Sequence, residues 1–77
     1  MSNPTLTPDA AAATIAAARV TSTRVAHSLN SDDDRFRDAS EAIAVSLDES
    51  GCFDEYPFAA LYDAAYSALA DRCANLL

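Results

Sequence analysis

One stretch of the chain has the ligand spacing of a calcium-binding loop. In a helix–loop–helix calcium site, oxygen ligands occupy positions 1, 3, 5, 9 and 12 of the loop, and glycine occupies position 6. Counted from residue 30, those ligand positions hold Asn30, Asp32, Asp34, Asp38 and Glu41. Position 6 is Arg35, however, where the sharp turn requires glycine, and position 8 is Arg37, where an apolar residue normally packs. A degenerate calcium-binding module is therefore one alternative for the function.

The same acidic residues also fit the start of a helix. Asp32, Asp33 and Asp34 would complement the positive end of a helix dipole. Ser31, followed three residues later by Asp34, has the form of a capping box, and Phe36 would then be the first core residue. This interpretation explains the acids without a metal, so we favour it and expect no metal or cofactor.

Combinations typical of catalysis are scarce. His27 is the only histidine, and with Cys52 and Cys73 it gives too few soft ligands for a zinc site. Gly51 is the only glycine, so the chain has no glycine-rich phosphate-binding loop. We expect a protein that is not an enzyme, and no motif is specific enough to indicate a family.

The apolar spacing predicts an all-α fold, a small antiparallel three-helix bundle. Helix 1 should begin at Thr7-Pro8-Asp9, which has the residue types of a helix start, and run to about Leu29. Helix 2 should run from Asp32 to about Ser50, where Gly51 provides a left-handed cap, and helix 3 should begin at Pro57. Residues 1–6 are expected to form a flexible N-terminal arm, and residues 7–77 a single domain.

The last third of the chain, residues 56–77, should organise the core. Its helical stripe consists of Phe58, Leu61, Tyr62, Ala65, Leu69, Cys73 and Leu76. Helix 2 should face this stripe with Phe36, Ala39, Ile43 and Leu47, and Phe53 should close one end of the core. Helix 1 should contribute a stripe of mostly small residues: Ala11, Ile15, Ala18, Ser22, Val25 and Leu29.

Charge is distributed unevenly along the chain. The net charge is −7, there is no lysine, and residues 38–77 hold eight acids against the single base Arg72. This charge argues against direct nucleic-acid binding, because phosphate contacts require clustered basic residues. The lack of lysine and the abundance of alanine indicate a high-GC bacterium or its phage. No export signal or membrane-spanning run is apparent, so we expect a cytoplasmic protein without membrane contact.

A candidate partner-binding surface follows from these acids. Asp34, Asp38, Glu41 and Asp48 should lie on the outward side of helix 2 around Val45, at a spacing of about 6 Å that is close to that of nucleic-acid phosphates. Asp54, Glu55, Tyr56 and Tyr66 extend the candidate set, since edge tyrosines near acids suit arginine-rich surfaces. This predicts an inhibitor or adaptor of the phage-antagonist kind, which occupies a basic nucleic-acid-binding surface of a partner protein. The alternatives are an ordinary solvated face and a self-associating structural or accessory subunit, which would form a homodimer or larger assembly.

Overall fold

The computed structural model describes residues 7–77, and within them the chain forms four α-helices and no strand. These helices are α1 (Pro8–Arg19), α2 (Thr23–Asn30), α3 (Asp33–Glu49) and α4 (Phe58–Leu76). The predicted all-α class is confirmed. The predicted flexible arm, residues 1–6, lies outside the described residues.

The predicted first helix is wrong, because the structure divides it into α1 and α2. Val20 adopts extended backbone angles (φ −108°, ψ 92°), and the Ser22 side chain caps α2 by accepting a hydrogen bond from the Val25 amide. The residues at the break, Val-Thr-Ser-Thr, combine β-branched side chains with hydroxyls that bond locally to the backbone. Both properties weaken a continuous helix at this point. The described part of the chain therefore has four helices, where three were predicted.

Two hydrogen bonds from distant parts of the sequence hold this break in place. The Arg72 Nε donates to the Val20 carbonyl oxygen at 2.9 Å, which satisfies a carbonyl at the end of α1. The Thr23 hydroxyl donates to the Leu76 carbonyl oxygen at 3.1 Å, which joins the start of α2 to the end of α4. The break is therefore fixed against the C-terminal end of α4.

Helix α4 contacts each of the other three helices, as the predicted organising role of the last third requires. The start of α1 lies beside Tyr56 and Ala60, and Val20 just after its end bonds to Arg72, so α1 and α4 run in the same direction. The start of α3 lies beside Tyr66 and Ala70, so α3 runs in the opposite direction. Helix α2 makes the connection between α1 and α3 at the C-terminal end of α4.

Local capping explains the other helix ends, with one correction. Thr7 caps α1 as predicted, and Gly51 has the left-handed φ of 74° expected after α3. The cap of α3 is Asp32 and not Ser31: the Asp32 carboxylate accepts from the amides of residues 34 and 35, while the Ser31 hydroxyl donates to the His27 carbonyl oxygen. Pro57 is the cap of α4, one residue before the helix proper.

The core combines side chains from all four helices and from the α3–α4 connector. The predicted burial of Ile43, Leu47, Leu61, Leu69 and Cys73 is confirmed, and Phe53 is only 2% exposed. In the first segment, Ala18 and Ser22 are exposed, contrary to the prediction, and the buried residues are Pro8, Ala12, Ala16, Val20 and Ala26. The prediction for Phe58 is also wrong. This residue is 43% exposed because it begins α4 at the bundle end, where the Phe53 ring fills the core.

Candidate functional site

The outward side of α3 is an exposed surface that we call the acidic face. It is defined by Asp34, Asp38, Glu41, Val45, Asp48 and Glu49, all of which are exposed. These residues lie opposite the buried side of the helix, which carries Phe36, Ile43 and Leu47. The sequence analysis expected five of these residues on the outward side, where they are exposed, and omitted Glu49, which lies about three helical turns after Asp38 and so on the same side.

Ion pairing affects only one end of the acidic face. An Arg37 guanidinium nitrogen lies 2.6 Å from an Asp34 carboxylate oxygen, and the hydrogen bond and charge of Asp34 raise the pKa of Arg37. The one other ion pair among residues 7–77 joins Arg35 to Asp32 at 3.9 Å. In that part of the chain, Asp38, Glu41, Asp48 and Glu49 therefore carry negative charge without a basic partner.

The connector between α3 and α4 continues the acidic surface beyond the end of the helix. Asp54, Glu55 and Tyr56 are all exposed, with 40% of Tyr56 accessible. The connector is held by the buried Phe53, whose carbonyl oxygen accepts from the Tyr56 amide at 3.0 Å and whose ring lies 6.1 Å from the Tyr56 ring. Residues 38–63 contain seven acids and no base, so the outward acids of α3 and those of the connector belong to one negative stretch of the chain.

Tyr66 belongs to a separate surface that we call the aromatic groove, lined by Asp33, Phe36, Arg37, Tyr62 and Tyr66. This open groove between α3 and α4 has a volume of about 430 Å³. The predicted site is therefore divided: the α3 acids form one face, Tyr66 lies in the groove, and Tyr56 lies in the connector. The Asp34–Arg37 pair joins the first two, because Asp34 belongs to the acidic face and Arg37 lines the groove.

The ligand set of the calcium alternative does not form a loop. Residues 33–49 are helical, so Asp34, Asp38 and Glu41 are spread along one side of α3, and the Asp32 carboxylate is used as the helix cap. Among residues 7–77, no group of three or more His, Cys, Asp or Glu side chains is placed to hold a metal ion. A calcium loop at this position would require the first two turns of α3 to unwind.

The two thiols occupy different environments. Cys52 is exposed in the connector, Cys73 is buried in the core, and both are free. Burial raises the pKa of the Cys73 thiol, because the thiolate would lose its hydration there. His27 is exposed on α2.

A second open groove, of about 540 Å³, runs between α1 and α4, and we call it the alanine groove. It is lined by four alanines, Ala13, Ala17, Ala64 and Ala68, and by five polar or charged residues, Asp9, Ser67, Asp71, Arg72 and Asn75. Small side chains of this kind allow another helix backbone to approach closely. The groove lies against α1, where Ala10 and Ala18 are also exposed, so a broad alanine surface faces solvent.

Comparison of the chain with models of protein families, with curated proteins and with solved structures finds no match. Within residues 7–77, none of the helices has the length and apolar character needed to span a membrane.

Proposed function

We propose that this protein is a non-enzymatic acidic binding module that docks on a basic, nucleic-acid-binding surface of a partner protein, as an inhibitor or adaptor. The observation that carries the proposal is the acidic face, where Asp38, Glu41 and Asp48 project from a regular helix without basic partners in the described chain. The adjoining acids of the connector enlarge the same negative surface.

The spacing of these carboxylates supports mimicry of a nucleic-acid strand. Asp34, Asp38 and Glu41 follow one another at steps of four and three, which places their Cβ atoms about 5–6 Å apart, close to the separation of successive phosphates along one strand. Asp48 is seven positions beyond Glu41 and continues the row at about twice that spacing. A basic groove that binds phosphates through arginine and lysine would meet a similar row of negative charges. Val45 lies within the row and is 37% exposed, so the surface also offers an apolar contact that a partner can bury.

The test is charge reversal on the acidic face. The immobilised protein is incubated with a lysate of a high-GC bacterium, and the captured partner is identified, purified and titrated against variants. We expect Asp38→Lys combined with Glu41→Lys to weaken binding at least about tenfold, because like charges would then face each other. Binding of the unchanged protein should weaken steeply between about 50 and about 500 mM salt.

The matched control is Asp63→Lys combined with Asp71→Lys, which changes the net charge equally on exposed residues of α4. We expect this control to change affinity by less than about threefold, since salt ions screen charges that lie far from the docking surface. Equal weakening by both double variants would show that only net charge matters and would contradict the acidic face as the docking surface.

A second candidate function is self-association as a structural or accessory subunit. The observation in its favour is the exposed alanine surface of α1 and the alanine groove beside it, together with Leu77 at 53% exposure. Sedimentation equilibrium distinguishes the candidates. Self-association predicts a dimer or larger species that persists after the Asp38 and Glu41 reversals, whereas the docking proposal is compatible with a monomer.

A further inference from the structure

The aromatic groove presents a ring that is both fixed and accessible. The Tyr66 ring packs edge-on against Phe36, with centroids 4.8 Å apart, and its centroid lies 6.3 Å from that of Tyr62. These contacts restrict the Tyr66 side chain, yet 46% of the residue is exposed. Rigid aromatic side chains bind with a small loss of conformational entropy, and tyrosine is enriched among the residues that dominate interfaces.

The charges around the groove favour a cationic ligand. Asp33 lines the groove and also a neighbouring cavity that shares Tyr66 with it; it is exposed and takes part in neither ion pair of the described residues. Arg37 lines it as well, with its guanidinium bonded to Asp34, and the nearby charge of Asp33 also helps to raise the pKa of Arg37. The chain thus already places one guanidinium among these tyrosines and carboxylates, and the Asp33 carboxylate, although its charge reaches Arg37, forms no ion pair with it.

We propose that the aromatic groove binds an arginine side chain of the basic partner, in preference to lysine. The guanidinium would lie against the exposed Tyr66 ring and pair with the Asp33 carboxylate. Arginine is selected because its planar guanidinium stacks on aromatic rings and is weakly hydrated, whereas the lysine ammonium is compact and strongly hydrated. This inference rests on the proposed function, since it takes the partner to be basic.

The position of the groove makes it a continuation of the docking surface. Asp34 of the acidic face and Arg37 of the groove are bonded to each other, so the two surfaces share a border. A basic segment lying along α3 would then meet both. The acidic face supplies attraction that depends on charge alone, and the groove discriminates between side chains of equal charge.

The experiment is a calorimetric titration of the full chain with two peptides of equal length and charge. One peptide has arginine as its only basic residue type and the other has lysine. In both peptides, glycine and serine separate the basic residues. At low salt we expect the arginine peptide to bind roughly three- to fivefold more tightly. We expect Tyr66→Leu to abolish this preference and Tyr66→Phe to retain it, since the ring face is kept. Asp33→Asn should weaken binding of the arginine peptide.

The matched control is Tyr56→Leu, which removes a tyrosine of similar exposure (40%) from the connector and should leave the preference unchanged. Circular dichroism checks that each variant retains its helices. Equal affinity for the two peptides, or a preference that persists in Tyr66→Leu, would overturn the arginine site and leave the acidic-face proposal standing. Failure of both peptides to bind would overturn both proposals. A concentration-dependent mass that disappears in Tyr66→Leu would identify a second copy as the occupant instead.

Discussion

At the scale of single residues, Cys73 connects the packing of the core to pH. Its side chain is fully buried, and this burial raises the pKa of the thiol above its ordinary value. The folded chain therefore holds the thiol proton more strongly than the unfolded chain does. The corresponding contribution to stability is complete below the pKa of the unfolded thiol, about 8.5, and is lost as the pH rises through the folded value.

Replacement of Cys73 should remove this pH dependence. We expect the free energy of unfolding of the unchanged protein to fall between roughly pH 8 and pH 10, and to fall less in Cys73→Ala. Urea titrations at both pH values give the pH-dependent change in the free energy of unfolding for each protein. The cost of the cavity left by the alanine is the same at both pH values and cancels from this change. Cys52→Ala is the control, since it removes the exposed thiol and keeps the buried one in place. The same loss of stability in Cys73→Ala as in the unchanged protein would contradict this account.

At the scale of the helices, the start of α3 decides whether the acids of residues 32–34 serve a helix or a loop. The Asp32 carboxylate accepts hydrogen bonds from two amides of the first turn, at 3.0 and 3.3 Å. We therefore expect Asp32→Ala to lower the free energy of unfolding by about 1 kcal/mol. Asp32→Asn should retain most of the stability that the cap contributes, because asparagine is also a good cap. Urea titration provides the measurement.

Ser31→Ala is the matched control for this cap. The Ser31 hydroxyl donates to a carbonyl of α2 and does not cap α3, so we expect its removal to cost clearly less than that of Asp32. A larger loss for Ser31→Ala would restore the capping box inferred from the sequence. The Arg35–Asp32 pair adds little to either value, because both side chains are at least half exposed.

The helix ends show how far the sequence determines this fold. Thr7 and Gly51 act through bonds and angles within a few residues, so their roles were predictable from local sequence. The break after α1 depends on Arg72, which is 52 positions away along the chain, and no local pattern indicates that contact. The expectation of one helix from Thr7 to about Leu29 was therefore wrong.

The candidate site was predictable to a similar extent. The acidic face follows from helical periodicity alone, because α3 is regular and its buried side is clearly apolar. The Asp34–Arg37 pair and the exposure of Phe58 depend on side-chain conformations and on where the bundle ends. The aromatic groove could not be predicted from local sequence, because it is formed by the packing of α3 against α4. Its two contacting rings, Phe36 and Tyr66, are thirty positions apart in sequence.

At the scale of the whole molecule, shape and charge are consistent with binding through surfaces. The Cα positions extend 40 × 26 × 14 Å, so the protein is flat and most functional candidates lie on open faces. Its charge of −7 arises entirely from residues 38–77, which include most of the acidic face and the connector. A concentrated negative surface attracts basic partners and accelerates their association.

The most direct test of the central claim is competition with nucleic acid for the captured partner. A complex of this protein with its partner is titrated with duplex DNA, and the release of the protein is followed by fluorescence anisotropy of a label on its N-terminal amine, so that the docking surface remains unmodified. If the acidic face occupies the nucleic-acid-binding surface, DNA should displace the protein, and the displacement should follow the DNA affinity of the partner alone. Formation of a ternary complex, in which DNA and this protein bind the partner together, would contradict the account.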